Sequence, residues 1–275
     1  MPIITLTTDF GIKDHCAGAL KGAILKELND ANIVDISHAI APFNIAEAAY
    51  VLKNAYKSFP DGSIHIIGVD AELTPEVFHL AIELDNHFFL CADNGVISLL
   101  ANEIQPKKIV KINIPQGINK TYSELQVFVR VACHIARGGV LEVIGKPVSE
   151  FVKCTDLMPK ISDEQNEIRG NVMYIDNYGN AVSNISKSLF NSVGRGRPFE
   201  VFANTYVFPK ILDRYSDIVN FNIPKEERNV EGTRMAIFNA SNFLEIALYK
   251  ANPNVGSAAS LLGLTYRKPI IIKFK

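Results

Sequence analysis

The fold is decided by residues 3–11, which read Ile3-Ile4-Thr5-Leu6-Thr7-Thr8-Asp9-Phe10-Gly11. The mostly apolar run at residues 3–7 predicts a buried strand. From about residue 14 to residue 28, apolar side chains recur at intervals of three and four, which predicts a helix. A buried strand that leads into a helix is typical of a parallel sheet covered by helices.

The same alternation continues over the first 145 residues. It predicts strands at 33–36 and 63–69, helices at 44–58, 95–101 and 124–137, and a hairpin of 78–84 with 87–91. The pair Gly138-Gly139 ends the last helix, because glycine has low helix propensity and permits a left-handed cap. We therefore expect residues 1–160 to form an α/β sandwich with a mostly parallel sheet.

After about Gly145 the helical period fades and short β-rich runs dominate. These runs lie at 172–175, 199–207, 234–238, 243–248 and 269–274. The polar stretch at 162–167 separates them from the first pattern. The sequence therefore predicts a second, smaller, β-rich domain at residues 168–275.

Composition disfavours several classes of function. Lys and Arg number 28 against 29 Asp and Glu, giving a formal net charge of -1. Such a balance disfavours a nucleic-acid footprint, although it leaves room for a local basic patch. No run of about 18 apolar residues occurs, and no basic segment precedes Asp9. We therefore expect a soluble, cytoplasmic protein with neither a nucleic-acid partner nor a membrane partner.

Three aspartates, Asp9, Asp70 and Asp93, each follow a predicted strand of the first domain. Open α/β sheets bind ligands at the carboxyl ends of their strands, so we expect these side chains to face one edge. A carboxylate there can accept the two hydroxyls of a ribose. The alternatives are that Asp9 only caps the following turn and that Asp93 belongs to an ordinary Asp-Asn-Gly turn.

The usual cofactor motifs do not occur in the sequence. It contains neither G-x-G-x-x-G nor G-x-x-x-x-G-K-[ST], which disfavours ordinary dinucleotide and P-loop chemistry. The four cysteines form no C-x-x-C pair and the six histidines no H-x-x-x-H pair, so we expect no metal site. A metal-dependent hydrolase that uses Asp9, Asp70, Asp93 and His38 remains an alternative.

A second polar segment lies in the β-rich domain at Asp176-Asn177-Tyr178-Gly179-Asn180. It combines a carboxylate, an aromatic ring and an amide in a tight turn, which suits a nucleoside and an amino group equally well. On its own it is only a turn. Ser241 stands before the run at 243–248, which by itself indicates a strand.

Taken together, these segments resemble the S-adenosyl-L-methionine hydroxide adenosyltransferases, relatives of the fluorinases and chlorinases. The resemblance covers nearly the whole chain. Its matching segments are Leu6-Thr7-Thr8-Asp9-Phe10-Gly11, Asp14 with Gly18 and Leu20-Lys21-Gly22, Ile33-Val34-Asp35-Ile36-Ser37-His38, Pro42-Phe43-Asn44-Ile45, Phe59-Pro60-Asp61-Gly62, Val69-Asp70, Asp93-Asn94-Gly95, residues 176–180 with Asn184, and Leu244-Glu245-Ile246.

The resemblance implies an α/β amino-terminal domain joined to a smaller β-barrel-like domain. It also implies a homotrimer whose ligand lies between one subunit's first domain and its neighbour's second. The implied reaction is hydrolysis of S-adenosyl-L-methionine (SAM) to adenosine and L-methionine, with water or hydroxide attacking the ribose 5′ carbon. SAM is then the substrate, and neither a metal nor another cofactor is required.

The resemblance also assigns ligand-binding roles to individual residues. Asp9 would hold the ribose hydroxyls, Asp176 the methionine ammonium, Asn180 the adenine, and Ser241 the amino-acid end of the ligand. Each role suits its side chain, because a carboxylate accepts from hydroxyl and ammonium groups and an amide can both donate and accept. Phe10 and Tyr178, beside these residues, complete the expected substrate-binding set.

The catalytic positions match less well. Hydrolytic members of the family resemble one another in an aspartate, an arginine seven positions later, and a histidine. This chain keeps the aspartate as Asp70, but Val77 and Ser123 stand where the arginine and the histidine are expected. The alternative is therefore a catalytically silent protein that binds SAM or adenosine. Replacements in altered geometry would come from Glu72, Glu76, His79, Ser123, Glu124 or Arg130.

Overall fold

A computed structural model of the chain describes residues 2–101, 104–113, 123–155 and 158–275, with only the backbone of residues 123 and 124. The chain divides into two compact units, Met1–Cys154 and Thr155–Lys275. Each unit has its own clusters of buried apolar side chains. Among the described residues, no helix is both long enough and apolar enough to span a bilayer.

The first unit alternates strands and helices for most of its length. Its described strands are β1 (Ile3–Thr8), β2 (Asn32–Ser37), β3 (Ile64–Gly68), β4 (His79–Leu84), β5 (His87–Ala92), β6 (Lys108–Ile112) and β7 (Gly145–Pro147). Its described helices are α1 (Cys16–Glu27), α2 (Ile45–Ala55), α3 (Val96–Leu100) and α4 (Ser123–Ala136). A short 3₁₀ turn, Tyr56–Ser58, continues α2.

The strands of the first unit form one mixed sheet in the order β2-β1-β3-β5-β4-β6-β7. The four strands β2, β1, β3 and β5 pair in parallel, and the pairs from β5 through β4 and β6 to β7 are antiparallel. All four parallel strands therefore end at the same edge of the sheet.

Helices cover both faces of this sheet. On one face, Ile4 and Leu6 of β1 share a buried cluster with apolar residues of α1 and α4. On the other face, residues of β3, β4 and β5 pack with α2 and α3. A sheet buried on both faces needs apolar strands, which is why the runs at 3–7 and 63–69 could be recognised. The predicted α/β sandwich is confirmed.

A tight turn joins β4 to β5 as the sequence predicted. Asp85 and Asn86 both have positive φ, at 52° and 62°, and Leu84 pairs directly with His87. Two successive residues with positive φ make the primed turn whose twist matches an antiparallel hairpin. At the end of α4, Gly138 likewise has a φ of 82°, and Gly139 donates its N–H to the carbonyl of His134.

The second unit is mainly antiparallel sheet. Its described strands are β8 (Lys160–Ile161), β9 (Glu167–Ile175), β10 (Ala181–Ser186), β11 (Phe199–Ala203), β12 (Tyr206–Phe208), β13 (Arg234–Phe238), β14 (Phe243–Leu248) and β15 (Pro269–Phe274). Its described helices are α5 (Lys187–Gly194) and α6 (Ala258–Leu262). The strand order β12-β11-β15-β9-β10-β14-β13, with β8 on β9, curls into a nearly closed barrel. The predicted barrel-like fold is confirmed.

This unit differs from the sequence-based prediction at several elements: β8 and α5 were not predicted, β9 begins at 167 instead of 172, and two further differences involve β10 to β12. The single run predicted at 199–207 is a hairpin of β11 and β12, which turns at Asn204, where φ is 54°. Strand β10 was not predicted, because Ser183 and Asn184 interrupt its apolar pattern. In the fold both are satisfied by distant backbone: Ser183 donates to the carbonyl of Leu244, and Asn184 accepts from the N–H of Asn171.

Two buried histidines form a polar chain inside the first unit. Thr5 Oγ1 lies 2.7 Å from His65 Nδ1, and His65 Nε2 lies 3.1 Å from His87 Nδ1. The rings of Tyr56 and Phe89 pack against both imidazoles. Burial, together with the neighbouring His87, lowers the pKa of His65 to about 3, and burial also lowers the pKa of His87. The pair is therefore neutral in the folded protein near neutral pH.

We expect this pair to make the protein lose stability in mild acid. The unfolded chain binds a proton at His65 below pH 6.5, whereas the folded chain does so only near pH 3. Between these values the free energy of unfolding should fall by about 1.4 kcal/mol per pH unit for that single proton. Urea unfolding at pH 7, 6, 5 and 4 measures this slope.

A Thr5→Val/His65→Phe variant is the control for the acid-stability prediction, since it replaces both hydrogen-bond partners by apolar groups of similar shape. It should show a clearly smaller loss of stability between pH 6.5 and 4, with His87 contributing what remains. An unchanged slope in the variant would contradict the assignment to His65.

Candidate functional site

The carboxyl edge of the parallel strands carries the polar residues that the sequence singled out in the first domain. Asp9 directly follows β1, His38 follows β2, and Asp93 follows β5. Asp70 lies two residues beyond β3. Because these strands are parallel neighbours, the four residues stand along one edge in the order His38, Asp9, Asp70, Asp93.

His38 anchors the turn that carries Asp9. Its Nδ1 lies 2.7 Å from Thr8 Oγ1, and its backbone carbonyl accepts the N–H of Gly11 at 2.6 Å. These two bonds fix Thr8 and Gly11, the residues of the turn that flank Asp9 and Phe10. His38 is only 6% exposed, so both bonds are shielded from water. From the sequence, His38 was a candidate only for the metal-dependent alternative. Its contacts with Thr8 and Gly11 form because β1 and β2 are paired, and they show that it positions this turn.

The other ring nitrogen of His38, Nε2, faces the carboxylate of Asp35. His38 Nε2 lies 3.1 Å from Asp35 Oδ1, and the other oxygen of Asp35 accepts from the Lys21 ammonium. Partial burial would raise the pKa of Asp35, but hydrogen bonds from Lys21 and His38 outweigh it and lower the pKa. Asp35 therefore stays ionised beside the imidazole.

Asp9 itself is partly exposed and is held by a neighbouring loop. Its Oδ2 accepts the backbone N–H of Phe43 at 2.9 Å. A carboxylate has about four acceptor positions, so this single bond leaves capacity for ligand hydroxyls. Ile12, three residues after Asp9, is 90% exposed, and Phe43, whose N–H Asp9 accepts, is 74% exposed. By contrast, Phe10 packs against the core of the first unit.

Asp70 sits at the start of the loop after β3 with its side chain exposed. Its φ is 46°, an uncommon value for a residue other than glycine. The Asn94 side chain fixes this backbone by donating to the carbonyls of Val69 and Asp70 at 3.1 and 2.9 Å. Asp93 makes a different contact: its Oδ1 accepts the N–H of Val152 at 2.8 Å and so holds the backbone at Val152 against this edge.

Val77 closes the far end of the same loop through its backbone. Its N–H donates to Thr74 Oγ1 at 3.0 Å, and the N–H of Thr74 donates to the Val77 carbonyl at 3.2 Å. The half-buried valine side chain offers neither charge nor hydrogen bond. The loop thus keeps a defined shape without an arginine at this position.

The other catalytic position, Ser123, begins α4, but its side chain lies outside the described residues, as does that of Glu124. Among the other candidate replacements, Glu72, Glu76 and Arg130 are exposed. His79 is different, being 2% exposed with Nε2 2.9 Å from the carbonyl of Ala71. Because β4 runs antiparallel to β5, its first residue lies at the same edge as Asp93.

In the second unit, Asp176 organises the predicted ligand turn. Its Oδ1 accepts the N–H groups of Tyr178 and Asn180 at 2.9 and 2.8 Å, and its Oδ2 accepts from Asn180 Nδ2 at 3.0 Å. Gly179 has a φ of 74°, and a Cβ there would stand 2.3 Å from that of Ser257, so only glycine fits. Tyr178 projects outward and is 68% exposed.

The turn that bears Ser241 is joined to a buried carboxylate. Asn239 Oδ1 accepts the N–H of Ser241 at 3.0 Å, and Asn239 Nδ2 donates to Glu245 Oε2 at 3.1 Å. Tyr215 Oη donates to Glu245 Oε1 at 2.7 Å. Burial raises the pKa of Glu245, which is 2% exposed; these hydrogen bonds oppose the shift and Asp176 adds to it.

Neither Glu245 nor Tyr215 was predicted from the sequence to be a site residue. The available signal was an acidic residue between the apolar Leu244 and Ile246 in a strand, a position at which a carboxylate needs partners.

Within the described part of the chain, no group of three His, Cys, Asp or Glu side chains is arranged to hold a metal ion. Asp93 Oδ1 accepts a backbone N–H, and the two ring nitrogens of His38 contact Thr8 and Asp35. The geometry of these described residues therefore gives no support to the metal-dependent alternative.

Comparison with known families matches both units. Residues 4–145 match the SAM hydroxide adenosyltransferase N-terminal domain, and residues 170–271 match the C-terminal domain of the same family.

Individual relatives agree with these matches. An (R)-S-adenosyl-L-methionine hydrolase of Methanocaldococcus jannaschii is 30% identical over 99% of this chain and 96% of its own. A hydrolase of the same name from Thermus thermophilus is 25% identical, covering 96% of both chains. A fluorinase of Actinopolyspora mzabensis is 21% identical over 71% of this chain and 75% of its own.

A solved structure has the same architecture. An uncharacterized conserved protein from Thermotoga maritima superposes with a TM-score of 0.80 at 25% identity, covering 98% of this chain and all of its own.

The contact between His38 and Thr8 should contribute measurably to stability. Thr8→Val keeps the shape of the side chain but leaves a buried imidazole nitrogen without its partner, which costs about 1–3 kcal/mol. Asp35→Asn alters a partly exposed ion pair and should cost less than about 1 kcal/mol. Urea unfolding of both variants at pH 7.5 checks this order. If Asp35→Asn proved the more damaging, His38 would not be anchored chiefly through Thr8.

Proposed function

This chain belongs to the SAM hydroxide adenosyltransferase family, and we propose that it binds SAM and hydrolyses it to adenosine and L-methionine. The observation that carries the proposal is the relationship to a SAM hydrolase along 99% of the chain. The described geometry adds support, since Asp9 and Asp70 follow neighbouring parallel strands and leave the sheet at one edge.

The proposed binding roles follow from the hydrogen-bonding capacity that the internal contacts of each side chain leave for a ligand. Asp9 would accept the ribose hydroxyls through the capacity that its single bond to Phe43 leaves. Asp176 accepts three bonds from its own turn, so about one acceptor position remains for the methionine ammonium. Asn180 would contact the adenine, Ser241 the amino-acid end, and Phe10 and Tyr178 would supply aromatic surface.

The chemistry requires little of the leaving group. SAM is a sulfonium, so its departing methionine sulfur becomes neutral and needs no acid. The nucleophile is what needs help: a water must be aligned with the ribose 5′ carbon and polarised or deprotonated. Asp70 is the proposed catalytic residue for this step, because its exposed carboxylate stands on a backbone fixed by Asn94. No metal or further cofactor enters this scheme.

A catalytically silent SAM or adenosine binder is the second candidate. The observation that favours it is Val77, whose apolar side chain stands where the resemblance places an arginine. General acid–base assistance contributes about 10² to 10⁴ in rate, so its loss would leave binding with little turnover.

The proposed ligand is a small adenosyl molecule, with neither nucleic acid nor membrane as partner. We also propose a homotrimer and a cytoplasmic location. Sedimentation velocity tests the trimer, which would have about three times the chain mass of 30.4 kDa.

Purified protein incubated with SAM should release adenosine and methionine, measured by chromatography against a blank without protein. Asp70→Asn should lower the rate by about 10² or more, because the aligned carboxylate is lost. Asp61→Asn is the matched control: it lies before β3, at the opposite edge of the same sheet, and should keep the wild-type rate. Equal rates in wild type and Asp70→Asn would remove Asp70 from the mechanism.

A Val77→Arg/Ser123→His double variant separates the two candidates. Product from the double variant alone would identify a silent binder whose adenosyl site is intact. Product from the wild type would show that other residues activate the water. Absence of SAM binding to the wild type, measured by isothermal titration, would refute both candidates.

A further inference from the structure

We propose that His79 is a positioning residue for Asp70: its imidazole donates to the backbone carbonyl of Ala71 and thereby fixes the backbone that carries the proposed catalytic carboxylate. This inference rests on the proposed hydrolysis of SAM. It assigns His79 a hydrogen bond that shapes the loop, and it removes His79 from the residues that would replace the expected histidine as a base.

The backbone at Asp70 needs support from other parts of the chain. Its φ of 46° lies in the left-handed region, which residues other than glycine adopt uncommonly. Such conformations persist where the surrounding contacts determine them, and they concentrate at functional sites. The Asp70 side chain is exposed, so the direction of its carboxylate depends on this backbone. The groups that hold residues 69–71 in place therefore also position the carboxylate.

Two side chains from neighbouring strands hold three successive carbonyls of this backbone. Asn94 donates to the carbonyls of residues 69 and 70 at 3.1 and 2.9 Å, and His79 Nε2 donates to that of Ala71 at 2.9 Å. His79 begins β4 and pairs directly with Ala92, the last residue of β5. Asn94 follows two residues after Ala92. Both donors thus stand on one antiparallel hairpin, which fixes their separation.

The environment of the His79 ring favours this role over proton transfer. A carbonyl oxygen only accepts, so Nε2 must carry a hydrogen and cannot take one from a water while the contact lasts. The other ring nitrogen, Nδ1, is buried. His79 is 2% exposed and lies against Phe128 of α4, with the ring centroids 4.5 Å apart. Packing and the hydrogen bond together fix the orientation of the imidazole.

Two substitutions at position 79 separate positioning from proton transfer. Glutamine keeps an N–H donor at the end of its side chain but cannot act as a base, whereas leucine removes the donor. His79→Leu should lower kcat for SAM hydrolysis at least about tenfold, because a small displacement of a reacting group is costly. KM should change little, since His79 is not among the proposed SAM-binding residues. His79→Gln should retain most of the wild-type kcat.

His134→Leu is the matched control. His134 Nε2 also lies close to a backbone carbonyl, that of Val140 at 3.1 Å, but in the last turn of α4. This variant should keep the wild-type kcat and KM.

A folded His79→Leu variant with the wild-type kcat would overturn the proposal. A His79→Gln variant that loses as much kcat as His79→Leu would also overturn it, since that result indicates proton transfer by the imidazole. Circular dichroism and thermal melting establish which variants fold.

Nuclear magnetic resonance of the ligand-free wild type tests the geometry without any substitution, and it decides if His79→Leu does not fold. The nitrogen chemical shifts of the His79 ring should show a hydrogen on Nε2, and this hydrogen should exchange slowly with solvent. An Nε2 without a hydrogen, or fast exchange there, would contradict the contact. Failure of the wild type to release adenosine and methionine would refute the proposed hydrolysis instead. The ring signals would still report separately on the hydrogen bond to Ala71.

Discussion

The first unit depends on the burial of its parallel strands on both faces. Helices cover the sheet above and below, so the interior of each strand must be apolar or satisfied within the core. Solvent-exposed polar side chains therefore lie at the ends of these strands. Parallel pairing places four of those ends next to one another. His38, Asp9 and Asp70 therefore lie along one edge although as many as 61 residues separate them in the chain.

The two units hold their carboxylates in different ways. Asp9 accepts a backbone N–H from a distant loop, so its position depends on the pairing of whole strands. Asp176 accepts N–H groups from its own turn and is shaped locally. A local turn was visible in the sequence, whereas the anchoring of Asp9 by His38 depends on the strand pairing.

Much of the architecture could be predicted because it follows from short-range patterns. Strands β13 to β15 have the predicted bounds, and Asp85-Asn86 forms the turn of the predicted hairpin. Strand β10 could not be predicted, because Ser183 and Asn184 are polar and find their partners only after the sheet forms. Glu245 was quoted only within a matching segment, because its partners Tyr215 and Asn239 come from other parts of the chain and are apparent only in the fold. The adenosyl ligand came from resemblance, since an aspartate at a strand end suits many hydroxylated molecules.

The loop from Asp70 to Val77 keeps its shape through Asn94, through Thr74 and through backbone atoms of residue 77. The side chain at position 77 contributes no hydrogen bond to this shape. Reactivity and foldability are thus encoded by different atoms of the same segment. Selection can exchange the side chain there without dismantling the scaffold, which makes this loop a place where related proteins can diverge in chemistry while they conserve architecture.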